Sequence, residues 1–209
     1  MYDSKYTKWL EWAQEVQAIS QTGLAFVEDH YNKQRYKRLS EIAAEIISEH
    51  SNLEYKKLIL DFSHQPGYST PKVDVRGAIS KEGKILLVQE KADGKWCLPG
   101  GWADVGESPR EMVIREVQEE SGLEVQVKKL IGVWDANRSG EPLSHYHAYK
   151  LIFECTTTGG SPAPSEETLA VDYFEFSELP PLSVQRTNKT HLLEIQRHIE
   201  NGHRASYFD

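Results

Sequence analysis

Cysteine is scarce: Cys97 and Cys155 are the only two in 209 residues. That is too few for a disulfide framework or a thiolate zinc site, so both are expected to be reduced and structural. Long apolar runs are missing too. The longest, such as ILLV at 85–88, fall far short of the ~20 residues that span a bilayer. The opening MYDSKYTKWLEWAQ lacks the apolar stretch of a signal peptide, so the cytoplasm is the expected compartment. Positive charge is in deficit, with 24 basic against 32 acidic residues and a net charge of −8. This argues against non-specific adhesion to nucleic acid or anionic lipid. Low-complexity tracts and internal repeats are also absent. What is present is core-forming material: 39% hydrophobic residues with five Trp, ten Tyr and six Phe. The length suits one full domain with a small companion.

Two patterns divide the chain. In the first third, Trp9, Trp12, Ala13, Val16 and Ile19, then Leu24 and Val27, then Tyr36, Leu39, Ile42, Ala43, Ile46 and Ile47 recur at helical spacing. Three or four amphipathic helices are expected, with breaks at Thr22-Gly23 and around Asn32. Asn52 is the expected cap of a last helix through Phe62. The Pro-, Gly- and Ser-rich segment 63–71 reads as a linker. β-patterning follows: Val73, Val75 and Gly77, then KILLVQE at 84–90, and after a helix at 109–121 the runs VQVKKLIGVW, HAYKLIFEC and AVDYFEF. A final helix is expected between Thr187 and His203. The predicted class is α+β: a helical domain over 1–66, then a domain over 67–209 with a mixed or antiparallel sheet.

Chemistry concentrates in WCLPGGWADVGESPREMVIREVQEESGL, residues 96–123. Ser108 is a natural N-cap, Pro109 suits the first helical position, and Glu111 can close a capping box. Gly122 fits a left-handed C-terminal cap. On the helix between them, Glu116, Glu119 and Glu120 share one face. Like charges at that spacing repel, and acidic groups in a last turn oppose the helix dipole. A cation resolves both conflicts. A set of carboxylates without His or Cys suits a hard ion such as Mg²⁺ or Mn²⁺. A solvated acidic face is the plainer alternative, but Arg115, spaced between Glu111 and Glu119, is placed to orient carboxylates.

Taken together, Gly101, Glu107, Arg115, Glu116, Val117, Glu119, Glu120, Gly122 and Leu123 resemble the Nudix box at every position. Chance agreement at a given start is on the order of one in a billion with average residue usage. The resemblance implies the Nudix fold, a mixed sheet sandwiched between helices, and hydrolysis of a nucleoside diphosphate linked to a second moiety. It also implies that Glu116 and Glu120 hold the metal, that Glu119 is a further ligand or partners a water, and that Glu107 and Arg115 support them. A main-chain carbonyl at Gly100 or Gly101 would complete the site. Metal ions would neutralise the diphosphate and activate a water.

Several residues outside the box are candidates. For the general base we expect Glu167, ahead of its neighbour Glu166, on the loop PAPSEETLAVDYF. Arg76 is a candidate phosphate partner and Trp96 a candidate base-stacking residue, although core positions are the plainer expectation for Trp96, Trp102 and Trp134. His145 and His147 lack a third ligand and stay unassigned. The helical front end resembles a bacterial Nudix branch whose members include CDP-choline and ADP-ribose pyrophosphatases, so a small nucleotide is the substrate this resemblance implies. Two alternatives stay open: RNA processing at the same metal site, and a nucleotide-sensing regulator whose helical domain touches DNA. Residues 1–66 carry 8 basic and 10 acidic groups, which disfavours nucleic acid; only KQRYKR at 33–38 could touch phosphates. A helical segment this small is expected to act as a lid or to pack against another copy, giving a homodimer.

Overall fold

The computed structural model describes residues 8–136, 138 and 146–209. The chain divides into two compact units, with Pro71 ending the helical one and Lys72 beginning the other. The division falls at the end of the Pro-, Gly- and Ser-rich segment 63–71. Among the described residues no helix is long and apolar enough to cross a membrane.

The helical unit contains α1 (Lys8–Phe26), α2 (His30–His50) and α3 (Tyr55–Ser63). Leu10, Ala13, Ala44, Ile47 and Leu58 make its small core. Two sequence expectations are corrected and the break around Asn32 is located. α1 runs straight through Thr22-Gly23, because Gly23 is where the Tyr36 ring of α2 packs against it; a Cβ there would lie 2.3 Å from Tyr36 Cε1. Close helix packing outweighs the glycine's poor helix propensity. The break comes before Asn32: Asp29 is the N-cap of α2 and accepts the Asn32 N–H at 2.8 Å. Glu54, with no side-chain cap bond, precedes α3, not Asn52.

The second unit is an eight-stranded mixed sheet with a helix on each face. In chain order it contains β1 (Lys72–Lys81), β2 (Lys84–Glu90), β3 (Trp96–Cys97), β4 (Gly100–Trp102), α4 (Pro109–Ser121), β5 (Leu123–Asp135), β6 (Ala148–Gly160), β7 (Thr168–Phe174), α5 (Lys189–Glu200) and β8 (Tyr207–Phe208). β1 is central, parallel to β6 and antiparallel to β2 and β4. Alternation along β1 sorts its side chains: Val75 and Ile79 join Val113 and Val117 of α4. Ala78 joins Leu192 and Ile195 of α5 on the opposite face. The expected sandwich of a mixed sheet between helices, preceded by a helical segment, is therefore the observed fold.

Candidate functional site

α4 is built as its sequence dictates. Ser108 accepts the Glu111 N–H, Glu111 Oε2 accepts the Ser108 N–H at 2.9 Å, and Pro109 opens the helix. Gly122, at φ +72°, closes it by donating its N–H to the Gln118 carbonyl. One detail differs from expectation: the capping box occupies Glu111, so Arg115 does not turn to it.

Arg115 instead gathers carboxylates from the helix and from the preceding loop. Its Nε and Nη2 reach Glu107 at 2.9 and 2.8 Å. Nη1 donates to Glu116 at 2.9 Å and to Glu119 at 2.8 Å, and Nη2 also reaches Asp104 at 3.1 Å. This fork-to-carboxylate bonding holds Glu107 below its ordinary pKa. Glu120 lies apart from the fork, where Gly100 donates its N–H to Oε2 at 2.8 Å.

Gly100 and Gly101 let the main chain approach these carboxylates. Gly100 has φ +138°, and a Cβ on it would fall 2.0 Å from the Val75 carbonyl. A Cβ on Gly101 would stand 3.1 Å from Glu116 Oε2. The turn is held from three sides: Gly77 N–H donates to the Pro99 carbonyl at 2.9 Å, the Leu98 N–H donates to Thr187 Oγ1 at 2.9 Å, and Arg76 Nη1 donates to the Leu98 carbonyl at 3.1 Å.

Burial dominates the electrostatics of Glu116 and Glu120. Burial lifts Glu120 to about 7, against the pull of Arg76 and the Gly100 N–H, with Glu90 and Glu116 adding to the rise. Burial also raises Glu116, opposed by Arg115. Among the described residues no three His, Cys, Asp or Glu side chains converge as a ready metal cage. A hard divalent ion nonetheless fits the donor set. A buried carboxylate, Glu120, and a half-buried one, Glu116, flank glycine main chain, and such ions complete their shells with carbonyl oxygen and water.

Arg76 does not stand as an open phosphate partner, and Trp96 takes the core position that was its plainer expectation. Arg76 is 5% exposed; Nε donates to Asp74 Oδ1 at 2.8 Å, and Lys150 Nζ bonds the other Asp74 oxygen. The guanidinium is engaged in the interior and presents no open face to a phosphate. Trp96 packs edge-on against Phe174, 4.7 Å between centroids, beside the α5-side core. Trp134 is fully buried against Tyr207 and His191, while Trp102 is exposed. His145 lies outside the described residues.

The Glu167 loop is brought to the last turn of α4. Ala163 N–H reaches the Ser121 carbonyl at 2.9 Å, and Thr168 Oγ1 donates to the Glu120 carbonyl at 2.9 Å. Glu167 is exposed, its N–H bonded to Ser165 Oγ at 3.1 Å and its carbonyl to the Lys91 N–H at 3.1 Å. Glu166 is bonded through its carbonyl to Lys91 Nζ.

Sequence reasoning passed over four residues here. Asp104 adds a further carboxylate to Arg115. Asp74 and Lys150 make the buried pair beneath Arg76; alternation could have found Lys150, which shares a face with Ala148 and Ile152 in HAYKLIFEC. Glu90 is nearly buried, receives the Cys97 thiol at 3.2 Å and pairs with Arg186 at 3.3 Å. Nothing in KILLVQE marks it as inward.

Comparison with known proteins agrees with this geometry. A model described as the UDP-X-like, N-terminal oligomerisation domain matches residues 7–60, and the NUDIX domain model matches residues 70–194. A Bacillus subtilis protein provisionally named an ADP-ribose pyrophosphatase is 38% identical over 97% of this chain and 98% of its own length. The crystal structure of a UDP-X diphosphatase is similar with a TM-score of 0.63 at 31% identity, covering 98% of this chain and 99% of that one. An ADP-ribose pyrophosphatase from Streptococcus suis is similar with a TM-score of 0.62 at 37% identity, over 67% of this chain and all of that one.

Proposed function

We propose, for a chain that belongs to the Nudix family and is a Nudix pyrophosphohydrolase, that its substrate is a nucleoside diphosphate joined to a second group. ADP-ribose leads, CDP-choline follows, and uridine diphosphate derivatives enter through the helical-domain match and the diphosphatase neighbour. The products are a nucleoside monophosphate and the phosphorylated second group. The observation that carries this reading is the placement of Glu116 and Glu120 against the Gly100–Gly101 main chain. Family members use divalent ions, and Mg²⁺ or Mn²⁺ is proposed here, held by Glu116, Glu120 and the glycine main chain. The ion supplies charge neutralisation of the diphosphate and a water made acidic enough to attack.

The chain's own groups do the positioning. Arg115 fixes Glu116 and Glu119 in one orientation and ties Glu107 and Asp104 to the same fork, so the acidic face is assembled before substrate arrives. Glu119 partners a water, and Glu167, carried beside α4 by its loop, takes the proton from the attacking water. Arg76 acts here through the Leu98 carbonyl, as a positioning residue. A self-associating helical unit, a homodimer, and a cytoplasmic setting complete the reading. RNA is a secondary substrate at most: Arg38, the last residue of the basic stretch, is paired with Glu41 and Glu45. A panel of ADP-ribose, UDP-sugars, CDP-choline, triphosphates and short RNA with Mg²⁺ or Mn²⁺, read by chromatography, tests the proposal. Release of a monophosphate and a phosphorylated partner with the highest kcat/KM supports it. A highest kcat/KM for a triphosphate or RNA overturns it.

A further inference from the structure

On α1 the residues that face away from the helical core are apolar and evenly spaced. Leu10, Ala13 and Ser20 are buried toward α2 and α3, with Ser20 Oγ donating to the Tyr36 carbonyl at 2.6 Å. On another face lie Trp12, Val16, Ile19, Gly23 and Phe26, at steps of four, three, four and three, with Gly23 at its inner edge against the Tyr36 ring of α2. That is the spacing of a two-helix seam. Three of its members are left largely in water: Trp12 is 56% exposed, Ile19 51% and Phe26 72%. The stripe also carries its own socket. Around Gly23 the helical unit has a cleft of about 590 Å³ bounded by Ile19, Phe26, Tyr36 and Tyr68. Gly23, having no Cβ, lets the Tyr36 ring stand against α1 as one wall of that cleft.

We infer that this stripe is where a second copy of the chain docks, antiparallel, with the two-fold axis at Ile19 and each Trp12 entering the partner's cleft beside Gly23 and Phe26. The inference rests on the proposed self-association and names its surface. Trp12 lies seven residues before Ile19 and Phe26 seven after, so an isologous antiparallel pair sets projection against socket twice. Burying Trp12, Ile19, Phe26 and Tyr68 on both copies removes on the order of 1,000 Å², the lower bound for a specific interface. Charge selects the direction. Lys8 begins α1, while Glu28 and Asp29 are exposed just past its end. An antiparallel pair brings Lys8 to the partner's acidic end; a parallel pair would stack Lys8, Glu11 and Glu15 on their own copies.

The test uses the full chain at micromolar concentration. Trp12→Ala is expected to weaken dimerisation at least tenfold by analytical ultracentrifugation with helicity unchanged. Orientation is read with a bis-maleimide spanning about 8–10 Å, the separation of packed helix axes. Ile19→Cys, and the double variant Trp12→Cys with Phe26→Cys at a protein concentration raised to offset its lost aromatic contacts, should be captured as covalent dimers, with the single variants run at that same concentration. Trp12→Cys alone and Phe26→Cys alone place their thiols about 21 Å apart and should stay at the background of the unsubstituted protein, whose two cysteines are buried. Capture of every single variant means parallel pairing and overturns the proposal. A dimer that none of the variants captures means a different face and overturns it too. A monomeric unsubstituted chain removes the self-association reading itself.

Discussion

Arg76 and Asp74 stand two residues apart on β1, on the same face, with the guanidinium Nε 2.8 Å from the carboxylate and both side chains withdrawn from water. Lys150, next to Asp74 across the parallel β1–β6 register, completes the group. A buried cation so held braces the Leu98 carbonyl and is expected to act on catalysis through it. Arg76→Met should therefore lower kcat tenfold or more with little change in KM. It should also destabilise the protein by up to about 3 kcal/mol, since Asp74 keeps Lys150. Steady-state kinetics with urea unfolding decide the matter. A large rise in KM at unchanged kcat would return Arg76 to the substrate.

Glu120 carries a charge the fold resists. Its pKa is raised to about 7, mainly by burial. A group raised in the folded state contributes stability below its unfolded value that is lost as pH rises through the folded one. At pH 8 without ions, Glu120→Gln should consequently be as stable as the parent or more so, by up to about 3 kcal/mol, because the amide oxygen can still accept from Gly100. Turnover should fall by orders of magnitude. Mn²⁺ should raise the parent's melting temperature far more than the variant's. Near-parental turnover in a folded Glu120→Gln protein would remove it from the ion site.

His191 sets a pH dependence of the opposite sign. It is 1% exposed on α5, receives the Asn188 N–H on Nδ1 at 3.2 Å, and packs edge-on against Trp134. Burial, aided by Lys150, pushes its pKa down to about 3. The unfolded chain takes up a proton below about 6.5 and the folded one does not, so this contribution is intact above 6.5 and lost as pH falls toward 3. Between pH 7 and 5 the loss amounts to about 2 kcal/mol. His191→Gln retains an acceptor and should flatten the change in urea stability over that interval by a similar amount. An unchanged slope would contradict the assignment.

How much of this the sequence carries depends on whether the determinants are local. The capping box of Ser108 and Glu111, the Gly122 cap and the shared face of Glu116, Glu119 and Glu120 are settled within one helix, and all are observed as read. Arg76 was misplaced because alternation groups it with Asp74 and Ala78 without saying which face a distant helix will cover; α5, more than a hundred residues later, covers theirs. Irregularities in β5 around Val127–Lys129 and Leu130–Gly132 break the alternation of that strand. Thus Trp134, Lys150 and Asp74 line up across three strands in a way no periodicity displays. Gly23 reads as a helix breaker only while Tyr36 is out of view.

Glu167 is the remaining local ambiguity, since adjacent exposed glutamates are ordinarily just solvated. What separates it from Glu166 is the loop's attachment. Thr168, its immediate neighbour, bonds the Glu120 carbonyl at 2.9 Å, and Glu167's own N–H and carbonyl are both fixed. Its backbone is thereby tethered beside the acidic helix while its carboxylate stays in solvent. Glu167→Gln should lower kcat at saturating metal by a hundredfold or more, within the range of general-base loss, and leave the metal concentration for half-activation unchanged. Glu166→Gln should stay within a few-fold of the parent. Equal small effects from both substitutions would make the loop a scaffold and send the search for the base elsewhere. A shift in metal requirement with Glu167→Gln would make it a ligand and not a base.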